Sequence, residues 1–244
     1  MRESVRNVPV ARAGIACLLC LASALALASF DERVRHGYAD SNGVNIHYVE
    51  VGEGPLVVMI HGFPDFWYSW RAQMQALAGD FRVVAIDQRG YHRSGQPEGV
   101  EADAMRNLVA DVVAVVRHFG AERATIVAHD WGGAVAWQVA INAPAVVERL
   151  VVMNLPHPSG FAREMASNAE QQANSGYARR FQQGSPADPD IFFGMPMTAQ
   201  ILAGWVSDPA AKPRCVQASE RSSFAGMLNF YKANYARPGR GKIT

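Results

Sequence analysis

Short apolar runs alternate with segments of helical periodicity along most of the chain. Residues 44–52 alternate apolar and polar positions behind the turn-forming Ser41-Asn42-Gly43, which predicts a hairpin at the edge of a sheet. Four continuous apolar runs predict buried strands, at 55–62, 81–90, 124–129 and 147–156. Apolar residues at helical spacing fill three further segments, at 66–79, at 101–119 and directly after Asp130. This alternation predicts an α/β fold, with a mostly parallel sheet covered by helices on both faces.

The pattern changes at Pro156. The segment from there to about residue 239 holds eight prolines and no run typical of a buried strand. Three helical pieces are predicted instead, at 161–182, 197–206 and 219–235. We therefore divide the mature chain into the N-terminal part of a sheet-based core at 29–155 and a helical lid, or cap, at 156–244, placed over the active edge of the sheet.

The N-terminal segment is typical of a secretory signal peptide. Basic residues precede a short apolar run, which closes at Ala26-Leu27-Ala28. We expect cleavage after residue 28, export to the periplasm or the medium, and no membrane contact by the mature chain. Cys17 and Cys20 lie within this segment, so Cys215 is the one cysteine of the mature chain and no intramolecular disulfide or cysteine-type metal site is expected.

Composition excludes several other classes of protein. The chain has 244 residues, of which 49% are hydrophobic, and a formal net charge of +1. That content can bury one sizeable core, and it is not typical of a disordered chain. The near-neutral charge, with both signs interspersed, argues against a nucleic-acid partner. The sequence gives no indication of the oligomeric state.

The stretch IVAHDWGGAVAW, residues 126–137, holds the candidate chemistry. It predicts a strand, a tight turn of small residues and a helix, which is the geometry that lifts a nucleophile above the end of a sheet. Asp130 occupies the nucleophile's position. The backbone N–H groups of Trp131 and of Phe63, in the loop after the first buried strand, are the candidate donors of an oxyanion hole. As an alternative, Asp130 could be a helix N-cap, since aspartate is a preferred cap.

Three segments together resemble the epoxide hydrolases of the α/β-hydrolase superfamily: HGFPDFWYSW (61–70), DQRGYHRS (87–94) and AHDWGG (128–133). The resemblance covers most of residues 36–235. It implies an α/β-hydrolase fold and a small apolar epoxide as substrate, with no metal or cofactor in the reaction. Asp130 would attack an epoxide carbon and form a covalent alkyl ester.

The same resemblance implies that two lid tyrosines donate to the epoxide oxygen. Tyr177 precedes Phe-Gln at the family's spacing, and Tyr231 lies in an Asn-aromatic-Tyr-basic motif. Both tyrosines could instead anchor lid helices at half-buried positions. His61 and His129 are interpreted as structural residues.

Three interpretations remain open. Besides an epoxide hydrolase, the chain could be a dehalogenase-like hydrolase with the same Asp130 nucleophile, although the halide-binding residues of that group are not seen at Phe63 or Trp131. It could also be a non-catalytic remnant or a binding module. The family places a late acid and a histidine after the lid, yet the last histidine here is His157. We therefore expect a C-terminally truncated chain that lacks the last core strands.

Overall fold

The computed structural model describes residues 30–235, and the predicted signal segment at 1–28 lies outside the described residues. The chain divides into two units after Val34, and helix α1 (Phe30–Arg33) lies in the first. The second unit begins at Arg35 and holds all the other described strands and helices. Within the described part of the chain, none of the helices has the length and apolar character that crossing a bilayer requires.

One sheet organises the second unit. Its strands are β1 (Arg35–Ser41), β2 (Val44–Val51), β3 (Leu56–Ile60), β4 (Arg82–Ile86), β5 (Ala124–His129) and β6 (Val147–Met153). They lie in the order β1-β2-β4-β3-β5-β6. The first two strands form an antiparallel hairpin at one edge, β2 pairs antiparallel with β4, and the remaining pairs are parallel. The predicted fold class and the edge hairpin are confirmed.

The helices of the core follow the predicted apolar spacing. They are α2 (Arg71–Leu77), α3 (Met105–His118) and α4 (Trp131–Asn142), with short 3-10 helices at Trp67–Trp70, Val100–Asp103 and Pro144–Val146. Helix α3 buries Leu108, Val112, Val115 and Val116 because these residues recur on one face. The five residues of β3 are all buried, as expected for a central strand of a parallel sheet.

The segment after β6 is helical, as predicted, but it is more broken than the periodicity indicates. Its helices are α5 (Pro158–Ser167), α6 (Ala169–Asn174), α7 (Gly176–Gln183), α8 (Ala199–Leu202), α9 (Lys212–Glu220) and α10 (Phe224–Asn234). The predicted piece at 161–182 is therefore three helices. It breaks at Asn168, whose side chain caps α6 by accepting from the Glu170 and Gln171 N–H groups. The piece at 219–235 breaks where Ser223 caps α10.

Helix α10 is tied to the loop that follows β4. The Ser223 N–H donates to the Gly90 carbonyl at 2.8 Å, and the His92 N–H donates to Ser222 Oγ at 2.8 Å. Asn234, at the other end of the helix, accepts from the Met105 N–H at 2.7 Å. These bonds fix the height of α10 above the ends of the strands.

Strand β6 is an edge of the sheet within residues 30–235. It pairs with β5 and has no strand partner on its other side. Val151 and Met153 on β6 are 45% and 40% exposed, and Ile141 on α4 is 50% exposed. The described residues thus expose apolar side chains beside this strand.

Candidate active site

Asp130 lies at a sharp elbow between β5 and α4. Its backbone has φ 53° and ψ −126°, a left-handed conformation that is rare for a residue with a side chain. The helix can start so close to the sheet because Gly132 has no Cβ, which would lie 2.3 Å from the Ile60 carbonyl oxygen. Asp130 occupies the N-cap position, but its side chain makes no capping hydrogen bond. The strained turn directs its carboxylate elsewhere.

The loop after β3 holds that carboxylate. The Phe63 N–H donates to Asp130 Oδ1 at 2.8 Å. Gly62 makes this approach possible, because a Cβ there would lie 2.3 Å from Asp130 Cβ. A donor at this place can also bind an oxyanion that develops on the same oxygen. The assignment of Phe63 and Trp131 as the two oxyanion donors stays a prediction.

His61 holds the loop from behind. Its Nε2 accepts from the Gln88 N–H at 3.0 Å, and its Nδ1 lies 2.8 Å from the Gly62 carbonyl. Full burial lowers the pKa of His61 from its ordinary value, with partial opposition from the Asp87 carboxylate. A neutral imidazole with both ring nitrogens engaged fits the structural role predicted for it.

Tyr177 on α7 and Tyr231 on α10 lie close together, with ring centroids 6.1 Å apart. Burial and the Asp130 carboxylate raise the pKa of Tyr231 well above its usual range, and the same two causes raise the pKa of Tyr177 to about 12. Both phenols are therefore protonated at neutral pH. The structure brings together the three side chains that the sequence singles out, and their catalytic roles stay predictions.

Two amide side chains of the same motifs fix the tyrosines. Gln182, one residue after Phe181, donates to the carbonyls of Tyr231 and Tyr235 at 3.2 and 2.8 Å, which ties α7 to α10. Asn229 donates to Asp103 Oδ2 at 3.0 Å and ties α10 to the core.

Aromatic rings surround this group. Trp131 packs edge-on against Tyr231 at 5.0 Å, and Phe63 does so at 5.8 Å, as expected for residues of an apolar wall. Phe192 and Phe193 complete the wall, at 6.0 Å from Phe63 and 5.5 Å from Tyr177 respectively. Neither residue was predicted from the sequence, because both lie in an irregular segment without periodicity. Two adjacent aromatic residues between proline-rich turns were the one signal available.

Asp65 was also missed, although it belongs to the HGFPD motif. Burial and the nearby Asp130 charge raise the pKa of Asp65 to about 7. Its side chain lines a cavity of about 260 Å³ together with Arg71, Trp205 and Cys215. A carboxyl group that changes its charge near neutral pH beside the elbow will modulate the local field.

The fold and the elbow define an α/β hydrolase with a carboxylate in the nucleophile's place. A family model described as alpha/beta hydrolase fold matches residues 55–186. The chain is 42% identical over 142 residues to epoxide hydrolase 1 of Caenorhabditis elegans, which covers 57% of this chain and 35% of that protein. It is 47% identical over 126 residues to epoxide hydrolase B of Mycobacterium tuberculosis, which covers 50% of this chain and 35% of that protein.

A solved structure of a Bacillus megaterium epoxide hydrolase in complex with an inhibitor matches with a TM-score of 0.71 and 34% identity, over 81% of this chain and 71% of that chain. The chain belongs to the α/β-hydrolase fold family and, within it, to the epoxide hydrolases. The curated matches span between 35% and 53% of the relatives' own length.

Proposed function

We propose that Asp130 is a nucleophile that opens small apolar epoxides and forms a covalent alkyl ester. One observation carries the proposal: the Asp130 carboxylate stands on a left-handed elbow, with the Phe63 N–H on one oxygen and its charge coupled to two lid tyrosines. The relatives named epoxide hydrolases support the same chemistry. No comparable observation favours halide displacement, because a leaving halide needs no proton from a phenol.

In the first step a carboxylate oxygen of Asp130 bonds to an epoxide carbon, and the bond from that carbon to the ring oxygen breaks. The electron pair of the broken bond goes to the ring oxygen, which takes a proton from a tyrosine hydroxyl and becomes an alcohol. The tyrosinate then regains its proton from solvent. A carboxylate suits this reaction because its alkyl ester remains hydrolysable at the ester carbonyl.

The lid tyrosines are suited to be the proton donors. At neutral pH Tyr177, with a pKa of about 12, keeps its proton until an alkoxide forms beside it. An alkoxide is a far stronger base than a phenolate, so the transfer is downhill. The aromatic rings packed around the pair lower the local polarity, which strengthens each hydrogen bond to the departing oxygen.

The second step is the attack of water on the ester carbonyl of Asp130, with the Phe63 and Trp131 N–H groups on the oxyanion. This step needs a base. The family resemblance gives that role to a histidine after the lid, whereas the last histidine of this sequence is His157. For residues 30–235 we therefore propose only the first step, which ends with the alkyl ester on Asp130.

The test is mass spectrometry of the full chain after incubation with styrene oxide. One adduct per chain, mapped to Asp130 and absent in Asp130→Ala, is the expected result. Tyr177→Phe and Tyr231→Phe should slow alkylation by about 10²–10⁴-fold, the usual contribution of a general acid. Tyr38→Phe is the matched control, since Tyr38 is 51% exposed on β1. An adduct of equal yield in Asp130→Ala would refute the proposal.

We further propose that the protein is exported and that residue 29 begins the mature chain. The support is the sequence pattern of residues 1–28, with its basic start, apolar run and Ala26-Leu27-Ala28. N-terminal sequencing of the protein recovered from a periplasmic extract tests this. Recovery of the chain from cytosol alone, with its first residues intact, would contradict it.

A further inference from the structure

A group of buried histidine and aspartate side chains joins β2 to the loop that follows β4, outside the proposed reaction. His47 Nδ1 lies 2.6 Å from Asp87 Oδ2, and His92 Nδ1 lies 2.8 Å from the same oxygen. The side chains of His47 and Asp87 are fully buried, and that of His92 is 7% exposed. None of these three residues is needed for alkylation of Asp130.

Strand pairing creates the group. Because Tyr48 pairs with Ile86 in the antiparallel β2–β4 ladder, His47 comes opposite Asp87, whose N–H donates to the His47 carbonyl at 2.9 Å. His92 reaches the same place from the loop that follows β4. Its backbone has a φ of 45°, in the left-handed region that favours glycine. A strained backbone conformation of this kind persists only where the surrounding structure holds the residue in place.

We propose that His47, Asp87 and His92 form a binding site for a late first-row divalent cation, with Zn²⁺ as the best match. Two imidazole nitrogens and one carboxylate oxygen are a ligand set that zinc accepts, with a further ligand such as water in its fourth position, whereas Mg²⁺ and Ca²⁺ prefer oxygen ligands alone. The three ligand atoms lie within 4.8 Å of one another. Both nitrogens face the same carboxylate oxygen, Asp87 Oδ2, so the three ligand atoms are direct neighbours, and a cation would replace the protons of the two hydrogen bonds between them.

The geometry requires a small adjustment. Tetrahedral zinc with bonds of ~2.0–2.1 Å holds its ligand atoms ~3.3 Å apart. The contacts of 2.6 and 2.8 Å would therefore widen by about 0.7 and about 0.5 Å when the cation enters. Rotation of the His92 side chain, which stands on a loop, would widen the second contact, and the first would widen through a shift of Asp87, which directly follows β4.

The surrounding hydrogen bonds orient the ligands as outer-shell partners of metal sites do. The Trp67 N–H donates to Asp87 Oδ1 at 2.9 Å, which leaves Oδ2 for the cation. His36 Nδ1 lies 3.0 Å from His47 Nε2. When His47 Nδ1 binds a metal, its proton is on Nε2, and His36 Nδ1 accepts it. The exposed His36 thus fixes the tautomer of a buried ligand.

A cation here would act on the fold and not on the epoxide. It would join the edge hairpin to the 87–95 loop, whose His92 N–H also bonds Ser222 just before α10. The site is therefore a structural clip between the core and the helix that carries Tyr231. The prediction that no metal takes part in the reaction is unaffected.

The test is calorimetric titration of the untagged, chelator-treated full chain with Zn²⁺, together with its thermal unfolding. We expect one equivalent of Zn²⁺ to bind and to raise the unfolding temperature, and Mg²⁺ to have no effect. His92→Gly removes one ligand while providing the residue that the left-handed backbone prefers, so the variant should fold and bind Zn²⁺ at least tenfold more weakly. His36→Ala should weaken binding by about 10–100-fold, as loss of an outer-shell partner does.

His157→Ala is the matched control, because His157 is an exposed histidine that caps α5 and lies outside the group. It should leave zinc binding unchanged. Failure of the wild-type chain to bind Zn²⁺ would overturn the proposal, and so would equal affinity in the wild-type chain and in His36→Ala or His92→Gly. These measurements use no epoxide, so their outcome is independent of the proposed alkylation.

Discussion

The buried ion pair between Arg89 and Asp111 should be essential to stability. Arg89 Nε and Nη2 donate to the two oxygens of Asp111 at 2.7 and 2.6 Å, and Nη1 donates to the Ala102 carbonyl at 2.6 Å. Both side chains are only 5% exposed. Asp111→Ala would leave the guanidinium buried without its counter-charge. Removing one partner of a buried pair costs about 3–5 kcal/mol.

For a chain of this size, 1 kcal/mol corresponds to a shift in Tm of about 2–4 °C, so Asp111→Ala should lower Tm by about 6–20 °C. Urea unfolding, followed by circular dichroism, should show the same loss with an unchanged m-value. The control is Glu101→Ala, which removes an ion pair with Arg106 whose side chains are 76% and 66% exposed. It should cost at most about 1 kcal/mol.

A double variant separates the attraction between the two charges from the free-energy cost of burying them. Arg89→Met combined with Asp111→Leu leaves no unpaired charge, and it should recover most of the stability that Asp111→Ala loses, because apolar replacements of buried pairs are often neutral. Equal losses in Asp111→Ala and Glu101→Ala would refute the reasoning, since they would mean that the 5% exposure of the pair does not govern its energy.

Three more substitutions test the elbow and its surroundings. Gly62→Ala should slow alkylation by styrene oxide about 10²-fold, because the new Cβ displaces Asp130 and a shift of ~1 Å has that effect; an unchanged rate of adduct formation would contradict this. Gly132→Ala should cost about 1–3 kcal/mol in urea unfolding, since its Cβ meets a strand carbonyl at 2.3 Å, whereas Gly160→Ala, with open space around it, should be neutral or stabilising. Asp65→Asn should make the free energy of unfolding depend less on pH between about pH 4 and pH 7. The pKa of Asp65 is raised to about 7 in the folded state, so the wild-type chain loses stability as the pH rises through this range. Parallel curves of unfolding free energy against pH for the two proteins would contradict the assignment.

Local patterns predict the elbow well, and they predict contacts across the sheet poorly. Asp130 could be found because a strand, small residues and a helix adjoin in sequence, and the positive φ follows from that turn. Tyr177 and Tyr231 were found through short motifs, each contained in one helix. In contrast, His47 and Asp87 meet only because of the register between β2 and β4, which no local pattern specifies.

The helical segment after β6 shows a different limit to prediction. Apolar spacing predicted continuous helices over 161–182 and 219–235. Hydrophobic periodicity cannot show where one helix ends and the next begins if the apolar spacing continues across the break. The breaks depend on capping side chains, Asn168 and Ser223, whose residue types are common within helices as well. Phe192 and Phe193 reach the aromatic wall through an irregular segment whose course is set by packing against Phe63 and Tyr177.

The free side of β6 has a consequence for handling the protein. The main-chain N–H and C=O groups along that side have no strand partner within residues 30–235, and Val151 and Met153 stand beside them. Such a rim is a template for another extended chain, including a neighbouring copy of itself. Concentrated solutions should therefore self-associate through β6. A lysine in place of Val151 should keep the protein dispersed.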